Sequence, residues 1–567
     1  MNKVIVLWAA LLLTYVAVAQ PDAAQPDAAQ PGAALPKRPN ILLLMSEDMS
    51  ARVGAFGDSV AVTPTLDALA REGVRYPNTF TTAGVCAPSR AAHILGMNQA
   101  TTGTQHMRSS ARPAGGYFSV PPEGVKAYPE LLRAAGYYTY TDQKLDYQFS
   151  SVFPNSGPAT IWDSEGAAEP TWRGRKKGQP FFGFRNFMVT HESGVFRPLG
   201  SMPEGVSHFV MQLMRWWRLD ESPPEVVSPA AVKLPPYYPD TPVVRADLAR
   251  HYNNIAYMDG EVAEIMQQLE ADGLADSTIV IWTTDHGDGL PRAKRELFDS
   301  GIKVPMIIRW PEAFRPDGVR PNTVDTRLIS FVDLAPTILK LAGVAAPDYL
   351  QGHDFAASNA VRREYIFAAR DRIDEVPDRQ RAVRDHRYKY IRSWHPGQAE
   401  GHTLAFRDNI DMVRQMREMY SAGKLNAVQS QWFQPPGEER LFDLESDPYE
   451  VHNLSRDPAH AGTLRRMQDA LSDWQQRAGD MGDEPEDRMV ARIQPGGKQQ
   501  ATPAPKFSVE KGRVKITPAA EGHSVAYRLD GGDWRVYSVP IALQGHKNIE
   551  AKAVRYGWEE SDLVTGP

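Results

Sequence analysis

The chain has 567 residues, 42% of them hydrophobic and 23% charged, which allows one large globular domain and a smaller one. Its formal net charge of −6 is modest and dispersed, so it lacks the basic face that nucleic acid or an anionic membrane demands of a partner. A single cysteine excludes a disulfide framework, and no Walker loop or dinucleotide fingerprint is present.

Residues 1–19 carry Lys3, a nearly continuous apolar run from Val4 to Val18, and Ala17-Val18-Ala19 before Gln20. This reads as a secretory signal, too short and wrongly flanked for a membrane span. The mature protein is therefore expected to be exported, periplasmic or secreted, without stable membrane insertion. Residues 20–37 repeat Gln-Pro-Asp-Ala-Ala and form a Pro/Ala-rich linker with nothing to bury.

Asn40 to Met45 is a continuous apolar run, the pattern of a strand buried on both faces of a parallel sheet. It ends in Ser46-Glu47-Asp48. Ligands collect at the carboxyl ends of strands in open α/β sheets, so the adjacent acids Glu47 and Asp48 make a candidate site for a hard cation; taken alone they also suit a solvated loop. Thr63 to Gly73 has an N-cap, a first-turn proline, an apolar stripe and a glycine stop, and is expected to be a helix. In Gly84-Val85-Cys86-Ala87-Pro88-Ser89-Arg90, Pro88 suits the first turn of a helix. That places Cys86 at a helix N-terminus, which favours negative charge, and Arg90 four residues on lies on the same helix face. An isolated cysteine in that position reads as a small buried core residue.

The loop from Gly103 to Ser110 holds His106 and Arg108, candidate substrate-side groups. Tyr128 to Ala135 is a short helix stopped by Gly136, and the β-rich run Tyr137 to Thr141 delivers Asp142-Gln143-Lys144-Leu145-Asp146-Tyr147. Pro180 to Glu192 is an aromatic strand ending at His191. The stretch from Phe196 to Val243, rich in Pro and Trp and without periodicity, reads as rim rather than scaffold. Ala246 to Asp272 has helical apolar spacing and leads into a buried strand, Ser277 to Thr284, ending in Asp285-His286-Gly287-Asp288. Lys294 precedes a patterned strand ending near Pro311, and Phe331 to Gly343 reads as a helix. Arg370-Asp371-Arg372 and the arginines from Arg381 to Arg392 are expected to form a charged face. Composition shifts to Gly, Gln and Pro at 496–503, a linker, and the short β runs that follow make 504–567 a small β-sandwich.

Cys-x-Pro-Ser-Arg at Cys86 to Arg90, together with Thr284-Asp285-His286-Gly287, resembles the formylglycine-dependent sulfatases of the alkaline-phosphatase-like superfamily. The resemblance runs in order over about residues 38–480. It implies an α/β fold, an alkaline-phosphatase-like sandwich with a central mixed sheet flanked by helices (38–385) and a smaller C-terminal subdomain (386–495). It implies that Cys86 is oxidised to formylglycine by a maturation enzyme, that one hydroxyl of the aldehyde hydrate attacks sulfur, and that the other releases sulfate. It implies further that Arg90 stabilises this group, that Lys144 and Lys294 bind sulfate oxygens, and that His191 contacts the ester. Glu47, where Asp is usual, joins Asp48, Asp285 and His286 as metal ligands. Oxygen-rich ligation favours Ca²⁺, or alternatively Mg²⁺, while the imidazole keeps Mn²⁺ or Zn²⁺ open. Asp146 stands where the family has histidine, which leaves the general acid open among Asp146, His191 and His106. The activity implied is hydrolysis of a sulfate ester, with a sulfated sugar as substrate. A phosphonate or phosphate monoester hydrolase and an inert carbohydrate-binding protein are the alternatives.

Overall fold

The computed structural model describes residues 38–166, 172–196, 223–357, 359–543 and 545–567, with a few positions between 206 and 213. The expected secretory segment, its linker and part of the Pro/Trp-rich rim lie outside the described residues.

Strands β1 (Asn40–Ser46), β2 (Val74–Phe80), β3 (Tyr138–Thr141), β4 (Ser164–Glu165), β5 (Phe181–Phe187), β6 (Thr278–Thr284), β7 (Lys303–Arg309), β8 (Thr323–Val324) and β9 (Ile329–Ser330) form one mixed sheet. Its order is β4-β3-β5-β1-β6-β7-β2-β8, with β9 also on β2. β1 runs parallel to both neighbours, Leu43 standing opposite Phe184 and Ile281, whereas β7 is antiparallel to β6 and β2.

The continuous apolar run of β1 follows from its place at the centre, where side chains enter a core on either face. Ile41, Leu43 and Met45 pack in a cluster with the helices α2 (Cys86–Leu95), α3 (Tyr128–Ala134) and α5 (Leu334–Leu341). Leu42 and Leu44 pack on the opposite face with α1 (Pro64–Glu72) and α4 (Pro242–Ala271). The result is a three-layer α/β/α body, as expected. Ser46 pairs with Thr284 on one side and Phe187 on the other, so the chain leaves β1, β5 and β6 at one level. Residues 47–48, 188–192 and 285–288 thus emerge together.

A second, antiparallel sheet comprises β10 (Ile366–Arg370), β11 (Gln380–Arg384), β12 (Tyr388–Ser393) and β13 (Glu439–Asp443). The division expected at 385/386 falls in its β11–β12 hairpin. One face packs on α6 (Ala461–Ala478) through Met467 and Leu471, and the other meets Phe80, Leu297 and Phe298. Here Arg370, Arg372, Arg381 and Arg384 are buried and depart from the charged face expected of them, whereas Arg387 and Arg392 are exposed as expected. Arg370 binds Glu296 and Asp378, Arg381 binds Asp371 and Asp480, and Arg384 binds Asp299, all buried. Acids brought from distant segments satisfy the guanidinium groups, which makes their burial tolerable.

The C-terminal module contains β14 (Lys506–Glu510), β15 (Arg513–Thr517), β16 (Ser524–Leu529), β17 (Arg535–Val536), β18 (Ile541–Ala542), β19 (Ile549–Val554) and β20 (Val564–Gly566). These make a three-stranded and a four-stranded sheet around Val514, Ile516, Val525 and Ile549. The short β18 and β20 go beyond the strands expected. The linker before them is pinned, Gln499 Nε2 donating to Gly557 O at 3.1 Å and Thr502 N to Glu559 O at 2.9 Å.

Candidate active site

Cys86 is the first residue of α2, after the extended Val85, and the helix is buried along its whole length. Gly84 makes this approach possible, because a Cβ there would run into the Glu296 carbonyl oxygen. The Cys86 Sγ lies 3.2 Å from His286 Nε2 and 3.6 Å from Asp48 Oδ1. One turn on, Ser89 Oγ donates to Asp285 O at 2.6 Å. Arg90 spreads its guanidinium over three elements: Nε to Asp285 Oδ2 at 3.2 Å, Nη1 to Asn186 Oδ1 at 2.8 Å, and Nη2 to Glu47 Oε1. The helix face inferred from spacing is thereby tied to the ends of β1, β5 and β6.

Asp48 has a positive φ of 47°, uncommon for a non-glycine residue and concentrated at functional sites. Its amide donates to Asp285 Oδ1 at 3.0 Å. Its Oδ2 accepts Lys294 Nζ at 2.5 Å and the Glu192 amide at 2.7 Å, and its Oδ1 lies 2.9 Å from His286 Nε2. Lys294 Nζ is also 3.2 Å from His191 Nε2 and 3.1 Å from Glu192 Oε1. Lys144 Nζ donates to Glu47 Oε2 at 2.6 Å and stands 3.8 Å from Asp146, whose Oδ2 accepts Arg108 Nη2 at 3.0 Å.

Burial dominates the electrostatics, and neighbours decide its outcome. Burial pushes the Glu47 carboxyl up, only partly offset by Arg90. Burial would also raise Asp48, but Lys294 and His286 together hold it well below the usual range. Burial and Lys294 keep His191 well below its ordinary value, hence neutral, whereas Asp285 and Asp48 outweigh burial and raise His286. For Asp146, burial is overcome by Arg108 and Lys144, so the carboxylate is ionised.

The donor atoms are grouped closely enough to hold a metal ion. Those of Asp48, Cys86, Asp285 and His286 lie within 4.8 Å of one another, as do those of Glu47, Asp48, Cys86 and His191. Asp48 and the residue-86 side chain belong to both groups. Glu47 falls in the second group and not with Asp285 and His286, and its two oxygens face Arg90 and Lys144.

Eleven of the twelve sequence candidates therefore sit in this one network: Cys86, Arg90, Lys144, His191, Lys294, Glu47, Asp48, Asp285, His286, Arg108 and Asp146. His106 does not. Its charged neighbours are Glu486, Arg372, Arg381 and Arg112, and burial lowers it to about 4. Sequence reasoning missed Asn186, which anchors Arg90, and Glu192, which bridges Asp48 and Lys294 and is itself gripped by both Arg295 amino groups at 2.8 and 2.9 Å. The adjacency of Glu192 to His191 was the one available signal.

Residues 39–344 match the family model described as Sulfatase, and residues 292–434 that described as N-sulphoglucosamine sulphohydrolase, C-terminal. An ulvan-active sulfatase of Formosa agariphila is 39% identical over 560 residues, 94% of this chain and 91% of that protein. Human N-sulphoglucosamine sulphohydrolase is 25% identical over 77% of this chain and 89% of its own. Among solved structures, a complex with its substrate D-glucosamine-2-N,6-O-disulfate superposes with a TM-score of 0.53 at 17% identity, covering 80% of this chain and 100% of that one. The phosphonate monoester hydrolase of Agrobacterium radiobacter gives 0.51 at 17%, covering 78% and 96%. At such identities the structures establish the fold, and the sequence match establishes the family. The chain belongs to the sulfatase family and is a sulfuric-ester hydrolase.

Proposed function

We propose that this enzyme is exported and removes sulfate esters from a sulfated polysaccharide of the ulvan type, using formylglycine made from Cys86. The observation that carries the reading is the position of Cys86: a buried helix N-terminus facing two carboxylates and an imidazole, with two lysines and an arginine converging on the same carboxylates. The relative with 39% identity, an ulvan-active sulfatase, supplies the substrate class. Because Cys86 is fully buried, the maturation enzyme has access to it only before the chain folds.

Asp48, Asp285 and His286 would hold a divalent cation, Ca²⁺ in preference to Mg²⁺ given the carboxylate oxygens, and Glu47 would join them by turning an oxygen away from Arg90 or Lys144. Bound there, the cation supplies positive charge at the nucleophile and at the sulfuryl oxygens. Lys144 and Lys294 approach from opposite carboxylates, Glu47 and Asp48, and are placed to take the sulfate oxygens. Arg90 neutralises Glu47 and Asp285 and fixes the helix. His191, beside Lys294, is the histidine facing the ester in this scheme; it is neutral in the free site, so it serves as the general acid only after taking up a proton when substrate binds. Asp146, ionised between Arg108 and Lys144, orients Lys144 and accepts sugar hydroxyls.

Incubating the matured enzyme with ulvan oligosaccharides and with aryl phosphate and phosphonate esters separates the readings. Sulfate release from the oligosaccharides, with slow or no turnover of the phosphorus esters, is the expected result. Preferential phosphonate hydrolysis would favour the phosphonate reading, and no product from any ester would favour the inert one.

A further inference from the structure

The C-terminal module is fused to the catalytic body along a tight seam. The Tyr556 ring stacks on Phe149 with centroids 4.9 Å apart and planes 9° apart, and its hydroxyl donates to Glu130 Oε2 at 2.6 Å. Gly557, at φ +81°, lies so close to Ser119 that a Cβ would meet the Ser119 carbonyl oxygen. Beside this seam runs a cleft of about 610 Å³, walled by Phe118, Phe149 and Trp162 from the body and by Trp534, Lys552 and Trp558 from the module.

We propose that this cleft binds a length of the polysaccharide chain, distinct from the residue whose sulfate is cleaved; the inference rests on the polysaccharide reading above. Three observations carry it. The first is the lining. Flat aromatic side chains from two domains with a few charged and amide groups among them, Asn155, Gln499 and Asp533 included, are the surfaces that ligand sites at domain seams present. Aromatic planes suit the apolar faces of pyranose rings, and the polar groups suit hydroxyls. The second is charge. Lys552 Nζ, paired with Glu560, lies over the Trp534 ring 4.7 Å from its centroid, and Arg133 and Arg555 also line the cleft, so cations as well as carboxylates stand among the aromatics to meet a chain that carries both sulfates and hydroxyls.

The third is continuity with the active site. The cleft wall 149–165 is the direct extension of the loop bearing Lys144 and Asp146, and Leu145 N donates to Val152 O at 2.8 Å, folding that wall back onto the loop. Tyr147, next to Asp146, stacks on Phe149 at 5.7 Å, and Phe149 stacks on Tyr556. One aromatic column therefore joins the sulfate-side loop to the module.

The test uses the full chain. In a Cys86→Ala background, which prevents turnover, retardation in gels containing ulvan reports binding; in the active enzyme, KM and kcat on polymeric ulvan are compared with turnover of nitrophenyl sulfate. Trp534→Ala and Trp558→Ala are expected to weaken ulvan retardation and raise polymer KM about tenfold. Lys552→Gln, a partly exposed position where glutamine keeps a hydrogen bond to Glu560 within reach, is expected to do so about threefold. Turnover of nitrophenyl sulfate stays unchanged in all three. If Lys552→Gln and whichever tryptophan variant unfolds like the parent bind ulvan as tightly as the parent, the cleft is only a seam and the inference is overturned. Absence of any ulvan retardation of the parent overturns it too. Retardation without sulfate release from ulvan would instead overturn the substrate proposal and leave the cleft standing.

Discussion

Asp146 stands where the family has a histidine, and its surroundings decide what it does there. A carboxyl that donates a proton must be protonated at working pH, which requires burial to prevail; Arg108 and Lys144 reverse burial and keep it ionised. Asp146→Asn should therefore slow hydrolysis of a sugar sulfate and of an aryl sulfate by similar, moderate factors, read from parallel kcat/KM measurements. A loss confined to the sugar sulfate, whose poor leaving group needs the acid, would show Asp146 to be the donor. Asn186 carries a second expectation. It holds Arg90 Nη1 at 2.8 Å, and Asp142 in turn fixes Asn186 through the Asn186 amide at 2.9 Å and Nδ2 at 2.8 Å. Asn186→Ala should lower kcat about tenfold or more with a smaller change in KM, because a hydrogen bond to a buried charge is lost; equal kcat would remove Asn186 from the account. Lys144, His191 and Lys294 were legible because a motif order located them. Asn186 and Glu192 were not, since their partners come from strands far away in sequence and an asparagine inside an aromatic strand carries no pattern of its own.

At the scale of elements, the same contrast recurs. β1, α1, α3 and β6 were readable from apolar runs, a first-turn proline and glycine stops. α4 begins at Pro242, one turn before the apolar spacing suggested, because Thr241 caps it by accepting from Val244 N at 3.2 Å. The sheet from β10 to β13 was hidden because its arginines read as solvated charge, and only the fold supplies Glu296, Asp299 and Asp480 to bury them. Asp480 offers a pH test of that pairing. Burial pushes its carboxyl up, but the two bonds from Arg381 more than reverse this and hold it at about 2. Since the folded value is depressed, the contribution is present above the unfolded value near 4 and lost as pH falls toward 2, amounting to about 2 kcal/mol. Asp480→Asn should lower the melting temperature at neutral pH and converge on the wild type near pH 2; a constant difference across that range would contradict the pairing. Gly287, after Asp285 and His286, packs so that a Cβ would strike the Ser300 carbonyl oxygen. Gly287→Ala should destabilise by about 1–3 kcal/mol, measurable by denaturant unfolding.

The whole molecule is a three-layer body, an antiparallel subdomain and a β-sandwich whose residues Val554 and Tyr556 enter the main core. The module was legible as short β runs, yet its fusion to the body was not, because the contacts of Tyr556 and Gly557 depend on loops at 119–130 that show no pairing signal. Removing 504–567 would expose that core surface, so the truncated chain is expected to aggregate or melt well below the full chain in a thermal scan. Among the described residues no helix is long and apolar enough to cross a membrane.

In the proposed reaction the side chain at position 86, remade as an aldehyde, is the nucleophile. Peptide mass spectrometry of residue 86 on enzyme produced with its maturation enzyme, paired with sulfate release from ulvan oligosaccharides, tests it most directly. Sulfur is expected to be replaced by oxygen at this position, sulfate release to scale with the converted fraction, and Cys86→Ala to fold but release none. Undiminished sulfate release from Cys86→Ala, or from chains whose Cys86 is wholly unmodified, would contradict it.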